Sequence, residues 1–256
     1  MHDPYFITVA VIAVLLVGLS KSGLLGSLGV VGVPLLSLVM PARDAAGMML
    51  PVLITMDVIA VWSYRKEFDA RILKIMLPGA ALGTVLGWAL WSVVSDAVVL
   101  LFVGIITFVF VLDAVFGLRR RIAAELPPSK GWGVFWGAFS GFTSFVSHTG
   151  GPPFQIYVLP QKLSPALFSG TTAVFFAIVN AAKLIPYYFL GQLSTNNLEL
   201  AALLAPVAIC GVLVGVYLVR RISMTYFYKI AYGLVFLLSI KLIWDSSNAL
   251  FFAASA

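Results

Sequence analysis

The stretch Ser140–Gly141–Phe142–Thr143–Ser144–Phe145–Val146–Ser147–His148–Thr149–Gly150–Gly151–Pro152–Pro153 decides how this chain is read. Apolar sequence flanks it, yet it is rich in hydroxyls, glycine and proline and holds one of the chain's 2 histidines. Glycine frees the backbone and proline removes an N–H, so Gly150–Pro153 predicts an interruption, not a continuous helix. Inside a bilayer, non-helical backbone persists only where protein buries it or where it lines a wet cavity. The break is therefore the place to look for a binding site, and paired broken segments are the usual pointer to a transporter site. The competing reading is a tight, proline-capped helix connection that binds nothing.

Composition places that break in hydrocarbon. Of the 256 residues, 61% are hydrophobic and 10% charged, against about a quarter charged in soluble domains. Several apolar runs reach the length of about 20 residues that a crossing needs. The expected class is an all-α integral membrane protein. The net charge of +6 comes from basic residues clustered in short loops between apolar runs, so it speaks to orientation. No basic stripe with interleaved aromatics supports nucleic-acid binding. The single cysteine, Cys210, lies in an apolar run, which excludes an intrachain disulfide and a cysteine-cluster metal site. Met1–Tyr5 has no basic n-region and no small-residue cleavage site follows, so the first apolar run reads as retained.

Apolar tracts run about 5–40, 45–64, 72–95, 97–116, 132–160, 166–190, 198–219 and 225–244. The first and fifth are too long for one simple span and both are interrupted; each of the others is one span. The chain also repeats itself. Ser22–Gly23 and Pro34 match Ser140–Gly141 and Pro152 at an offset of 118, and Met40–Pro41 matches Leu159–Pro160 at 119. Pro78, Gly83, Gly87 and Ser95 match Pro206, Gly211, Gly215 and Ser223 at 128. Residues 1–256 thus read as one membrane transport domain. Repeat one covers 4–118, a charged linker 119–130, and repeat two 131–250. Each half is a broken or re-entrant segment followed by three transmembrane helices.

Whether the halves are parallel or inverted turns on the broken segments. If each crosses, the halves are parallel; if each turns back, they are inverted. Arg65, Lys66, Arg71 and Lys74, then Arg119, Arg120, Arg121 and Lys130, mark inner loops either way. Inversion also keeps Lys162, Arg220, Arg221 and Lys229 inside and leaves the uncharged loop 191–197 outside, so the positive-inside rule favours inverted repeats.

Polar groups inside the apolar tracts narrow the chemistry. Lys21 lies deep in the first tract, where a charge costs about 3 kcal/mol on insertion scales; it faces a wet cavity or a carboxylate, unless it snorkels to the surface. Lys183 is the second buried cation, with Asn180 three residues away on the same helix face. Asp57 is the acidic candidate, as a counter-ion or a coupling-proton carrier. Asp113 sits near a span end within reach of water and carries no expectation. His148 has no carboxylate or cysteine at metal-ligand spacing, which argues against a metal. There is no Gly-x-Ser-x-Gly elbow for a hydrolase. An imidazole near neutral pKa suits anion hydrogen bonding or proton carriage, against a purely structural bond.

The breaks suggest an oxyanion site. Pro152 and Pro153 suit the first turn of a short helix, whose N-terminus offers free N–H groups and partial positive charge; Pro34 would start a matching half-helix. Candidate substrate-binding residues are Lys21, Ser22, Gly23, Gly32 and Pro34 in the first break and Ser147, His148, Thr149, Gly150, Gly151 and Gln155 in the second. Thr171, Asn180 and Lys183 follow on the next span, where threonines such as Thr171 and Thr172 also serve as helix–helix glue. Asp57 and His148 are the proton-coupling candidates. No catalytic residue, metal or cofactor is expected.

The run Gly141–Gln155, followed by Phe175–Phe176–Ala177–Ile178–Val179–Asn180–Ala181–Ala182–Lys183, resembles the sulfite exporter TauE/SafE family, and the likeness covers essentially the whole chain. The first half departs: Gly29–Val30–Val31–Gly32–Val33–Pro34 stands where the family often has a run of glycines. The resemblance implies export of a small sulfur-containing anion, such as sulfite or sulfoacetate, across the bacterial inner membrane, by alternating access. An anion channel, a membrane-embedded enzyme and a structural subunit stay open as alternatives. The expected partners are the anion and the bilayer, with no nucleic acid and with a homo-oligomer open.

Overall fold

The computed structural model describes residues 3–21, 28–93, 129–158, 161 and 163–219, together with 95, 97–98, 101, 104–105, 108–109, 111–112, 116, 236–237, 239–241 and 243–250. Every element among the described residues is helical. Helix α1 covers Pro4–Lys21; a 3-10 turn, Leu28–Val31, leads into the short α2, Gly32–Leu36. Helices α3, Ala42–Ser63, and α4, Ala70–Leu90, complete the described part of the first half. The second half holds α5, Lys130–Ser147, α6, Gly151–Val158, α7, Pro165–Phe189, and α8, Thr195–Val219. Five helices, α1, α3, α4, α7 and α8, are long and apolar enough to cross a membrane, which makes this a multi-pass membrane protein. The tracts 97–116 and 225–244, the seam 119–128, and Ser22, Gly23 and Asp113 fall wholly or largely outside the described residues.

Polar residues set the helix starts. The Asp69 carboxylate accepts from the backbone N–H groups of Arg71 and Ile72, Ser129 caps Trp132, and Ser164 caps Leu167 ahead of Pro165. Each satisfies N–H groups that a helix start leaves without intrahelical partners. Lys130, read from sequence as linker, is the first residue of α5.

Glycines set the packing. α4 carries Gly79, Gly83 and Gly87, and α5 carries Gly133, Gly137 and Gly141, both at a spacing of four. A Cβ at Gly83 would fall 1.8 Å from the Ala138 carbonyl oxygen, one at Gly79 2.1 Å from that of Val134, and one at Gly141 2.1 Å from that of Ala80. Here two backbones touch, as small residues at four-residue spacing allow in lipid. Met76 lies against Gly137, Ala80 against Gly141 and Gly87 against Phe145, so α4 and α5 run in the same direction.

α6 then doubles back along α5. Gly150 lies against Ser140 and Ser144, and Tyr157 lies against Gly133 near the start of α5. The next helix begins at that same end: Thr171 on α7 accepts from the Asp69 N–H at 2.8 Å, and Gly170 abuts the Glu67 carbonyl. At the opposite end Gly47, near the start of α3, packs on Gln192 and Asn197. So α3 and α7 are antiparallel, and the starts of α4, α5 and α7 share one end with Arg65, Lys66 and Lys130. α1 meets α8 where Gly18 faces Gly211. The larger buried apolar cluster draws on α1, α2, α3, α7 and α8, the smaller on α4, α6 and α7.

Candidate functional site

His148 ends α5 in the left-handed region, φ 56° and ψ 25°, and it is the one non-glycine residue at positive φ among the described residues. For an L-residue this conformation costs roughly 1–2 kcal/mol, so the surroundings must hold it. They do so at both ring nitrogens. Nε2 donates to the Ala46 carbonyl of α3 at 2.9 Å, and Nδ1 shares a hydrogen bond of 2.8 Å with Lys183 Nζ of α7. The hydroxyls of the break close it from within. Ser140 Oγ donates to the Gly150 carbonyl at 2.7 Å, and Ser147 and Thr149 share a hydrogen bond of 2.8 Å.

Two cations and one carboxylate meet beside this break. Lys21, at the end of α1, forms an ion pair with Asp57 of α3. The second Asp57 oxygen accepts from Asn180 Nδ2 of α7 at 2.6 Å. Asp57 is only 3% exposed and both oxygens are engaged, as a buried carboxylate requires. Lys183 has no exposed surface and no carboxylate partner among the described residues. Besides His148 it donates to the Ser144 carbonyl at 2.9 Å and to Ser144 Oγ at 3.1 Å. Asn180 lies nine residues beyond Thr171, about 14 Å along the helix, and Lys183 about 18 Å. Both therefore lie more than two turns in from the start of a helix of 25 residues.

A cavity of about 50 Å³ opens on this cluster. From the first half it is lined by Val17, Ser20, Lys21, Gly29, Val30 and Leu53, and from the second by Ser144, His148, Gly151, Thr172, Ala173, Phe176 and Asn180. Lys21 has three N–H groups, of which Asp57 takes one; its ammonium also lies 5.7 Å from the Phe176 ring centre. Asn180 has a second amide hydrogen beyond the one given to Asp57. Gly151 presents the first N–H of α6, and the two prolines that follow have none to offer. The cavity thus faces donors and positive charge, and the carboxylate beside it is already bonded. On the far side, Tyr187 donates to the Phe145 carbonyl at 2.6 Å, and its ring packs with those of Phe145 and Trp91. These three buried aromatics pack together near the end where α7 finishes.

Of the residues singled out in the sequence, Lys21, His148, Gly151 and Asn180 line the cavity, and Asp57 stands directly behind Lys21. Lys183 is held behind Ser144 and His148. Ser147, Thr149 and Gly150 build the break, and Gln155 is buried in α6 away from the cavity. Thr171 ties α7 to the start of α4. α2 begins at Gly32 with Pro34 at its third residue. Five residues make no second N-terminal anion site, and Gly32 serves instead to let the chain pass Val17, 2.6 Å from where a Cβ would sit. Ser20, Ser144 and Phe176 line the cavity without having been singled out. Their signal was proximity in sequence: each lies next to or within the motifs that carry Lys21, His148 and Asn180.

No curated protein and no solved structure matches the chain. Residues 10–242 match the family model described as Sulfite exporter TauE/SafE. With a broken helix, a buried lysine and a cavity lined by Lys21, His148 and Asn180 inside that matched span, the chain belongs to the sulfite exporter TauE/SafE family of membrane transporters.

Proposed function

We propose that this protein exports a small sulfur-containing oxyanion across the bacterial inner membrane, by alternating access between two inverted halves. The observation that carries the reading is the cavity lined from both parts of the chain, with Lys21, His148, Gly151 and Asn180 among its lining residues. A buried ammonium and convergent N–H donors form an anion site, because charge-assisted hydrogen bonds outweigh neutral ones. The α5–α6 hairpin supports the inverted arrangement, since a segment that returns to its own side gives an odd number of crossings per half. The Tyr187, Phe145 and Trp91 cluster favours a state closed toward one face, as alternating access requires.

Size favours sulfite as the cargo. A cavity of about 50 Å³ is small, one or two waters at about 30 Å³ each, so the most compact sulfur oxyanion suits it best. Sulfite has four non-hydrogen atoms, while sulfoacetate would need the cavity to widen. Export has its own driving force: with the cell interior negative, each exported negative charge gains about 2.3 kcal/mol per 100 mV. Uniport is sufficient. The test is labelled-sulfite counterflow into sulfite-loaded proteoliposomes. Saturable, trans-stimulated flux that drops at least tenfold in folded Lys21→Met is expected. Conductance without saturation would establish a channel, and no flux of sulfite or an organosulfonate from folded protein would remove the assignment.

A further inference from the structure

Around the cavity the hydrogen-bond geometry of the described groups limits the charge. Lys183 Nζ lies within hydrogen-bond distance of the Ser144 carbonyl, Ser144 Oγ and His148 Nδ1. A carbonyl oxygen can only accept, so the His148 Nε2 facing Ala46 carries a hydrogen. An ammonium on Lys183 together with a proton on Nδ1 would set two donors 2.8 Å apart. Lys183 and His148 therefore carry at most one positive charge between them in this packing. The remaining groups facing the ring are Lys21 from α1, Asp57 from α3 and Tyr187 from α7. Lys21 and Asp57 cancel as an ion pair, and Tyr187 is a neutral hydroxyl that donates to Phe145. The segment 22–27, which joins the two parts of the first break, contains only serine, glycine and leucine.

From this arrangement we infer that the cavity selects its oxyanion by charge and takes it as a compact monoanion, because Lys183 and His148 together offer at most one positive charge. For sulfite the transported species is then the hydrogen sulfite ion. A permanent dianion of the same size leaves one negative charge uncompensated in a low-dielectric site, where such a charge is expensive. The inference rests on the anion-transport reading for its setting but is tested by binding alone as well as by flux.

Methanesulfonate and sulfate serve as the probes: five non-hydrogen atoms each, one permanently a monoanion and the other a dianion near neutral pH. Thermal unfolding of the purified full-length protein is measured with increasing concentrations of each, since a ligand that binds the folded state raises its stability. Methanesulfonate is expected to raise the unfolding temperature at concentrations at least tenfold below those at which sulfate does, and to compete with labelled sulfite by the same margin. In proteoliposomes the sulfite distribution should shift tenfold per about 59 mV, the value for one charge, and not per about 30 mV, the value for two. Folded Asp57→Asn, with one more positive charge, should gain sulfate competition. Sulfate stabilising as well as methanesulfonate, two charges per sulfite, or stabilisation by neither anion would each overturn the inference. Sulfite counterflow with sulfate competing equally removes the charge rule and leaves the transporter. Selective stabilisation by methanesulfonate without sulfite flux keeps the charge rule and removes the sulfite reading.

Discussion

At the scale of single residues, His148 is where backbone and chemistry coincide. Its left-handed conformation turns α5 back toward α6, and its two ring nitrogens join α3 to α7. The two roles separate by substitution. Asparagine tolerates the left-handed region while alanine pays roughly 1–2 kcal/mol for it. His148→Ala should therefore unfold at lower denaturant than His148→Asn, by that difference, while both lose at least tenfold in sulfite counterflow because Lys183 loses its imidazole partner. Equal stability of the two would mean that the turn is held by its neighbours whatever residue occupies it. The Lys21–Asp57 pair gives a second residue-scale prediction. Removing one partner of a buried pair costs about 3–5 kcal/mol, whereas replacing both by neutral groups of similar shape is far milder. Lys21→Met and Asp57→Asn should each lower the unfolding midpoint, and the double variant should recover most of the loss without recovering flux. A double variant as unstable as the sum of the singles would show that the two charges act independently.

At the scale of elements, the contact between α4 and α5 sets where the break lies. Their backbones meet through glycines whose missing Cβ atoms would overlap carbonyl oxygens, most severely at Gly83. Gly83→Ala must push the helices apart and should cost about 1–3 kcal/mol or more, the usual penalty of overpacking. Gly131→Ala, with nothing within 4 Å of its added Cβ, should be neutral or stabilising by up to about 1 kcal/mol. Unfolding midpoints of the two variants check this, and a Gly83→Ala protein as stable as the parent would mean that the pair is looser than its geometry. The break itself was legible in the sequence because glycine and proline act locally, and Lys21, His148 and Asn180 were legible because each is polar in an apolar tract. The hairpin was not. Whether α6 continues or returns depends on packing against helices distant in sequence, such as α4, and the four-residue glycine spacing that joins α4 to α5 says nothing alone about which helix it meets. Lys183 was legible as a buried cation, but not as one standing behind Ser144 and His148, because only the side-chain directions of α5 and α7 decide which lysine reaches the cavity.

At the scale of the whole molecule, the order of ends follows from contacts. The starts of α4, α5 and α7 lie together, tied by Thr171 to Asp69 and by the α4–α5 glycines, and they carry Arg65, Lys66 and Lys130. Gln192 and the start of α3 lie at the other end. The positive-inside bias predicts that the first end faces the cytoplasm, and with it that the α5–α6 hairpin enters the membrane from inside and returns inside. One cysteine, Cys210, makes the test direct. In a Cys210→Ser background, single cysteines at Lys66, Lys130 and Ser164 should react with a membrane-impermeant thiol reagent only after the inner face is opened. A cysteine at Gln192 should react in intact cells. The residue that discriminates is Ser164. If the broken segment crossed the membrane, Ser164 would label in intact cells, and Gln192, one crossing further along through α7, would label with Lys130. Labelling of Ser164 and Lys130 from one face, with Gln192 from the other, places both strands of the break on the cytoplasmic side of the site. It would also leave Tyr187, Phe145 and Trp91 as the barrier that an exported anion has still to pass.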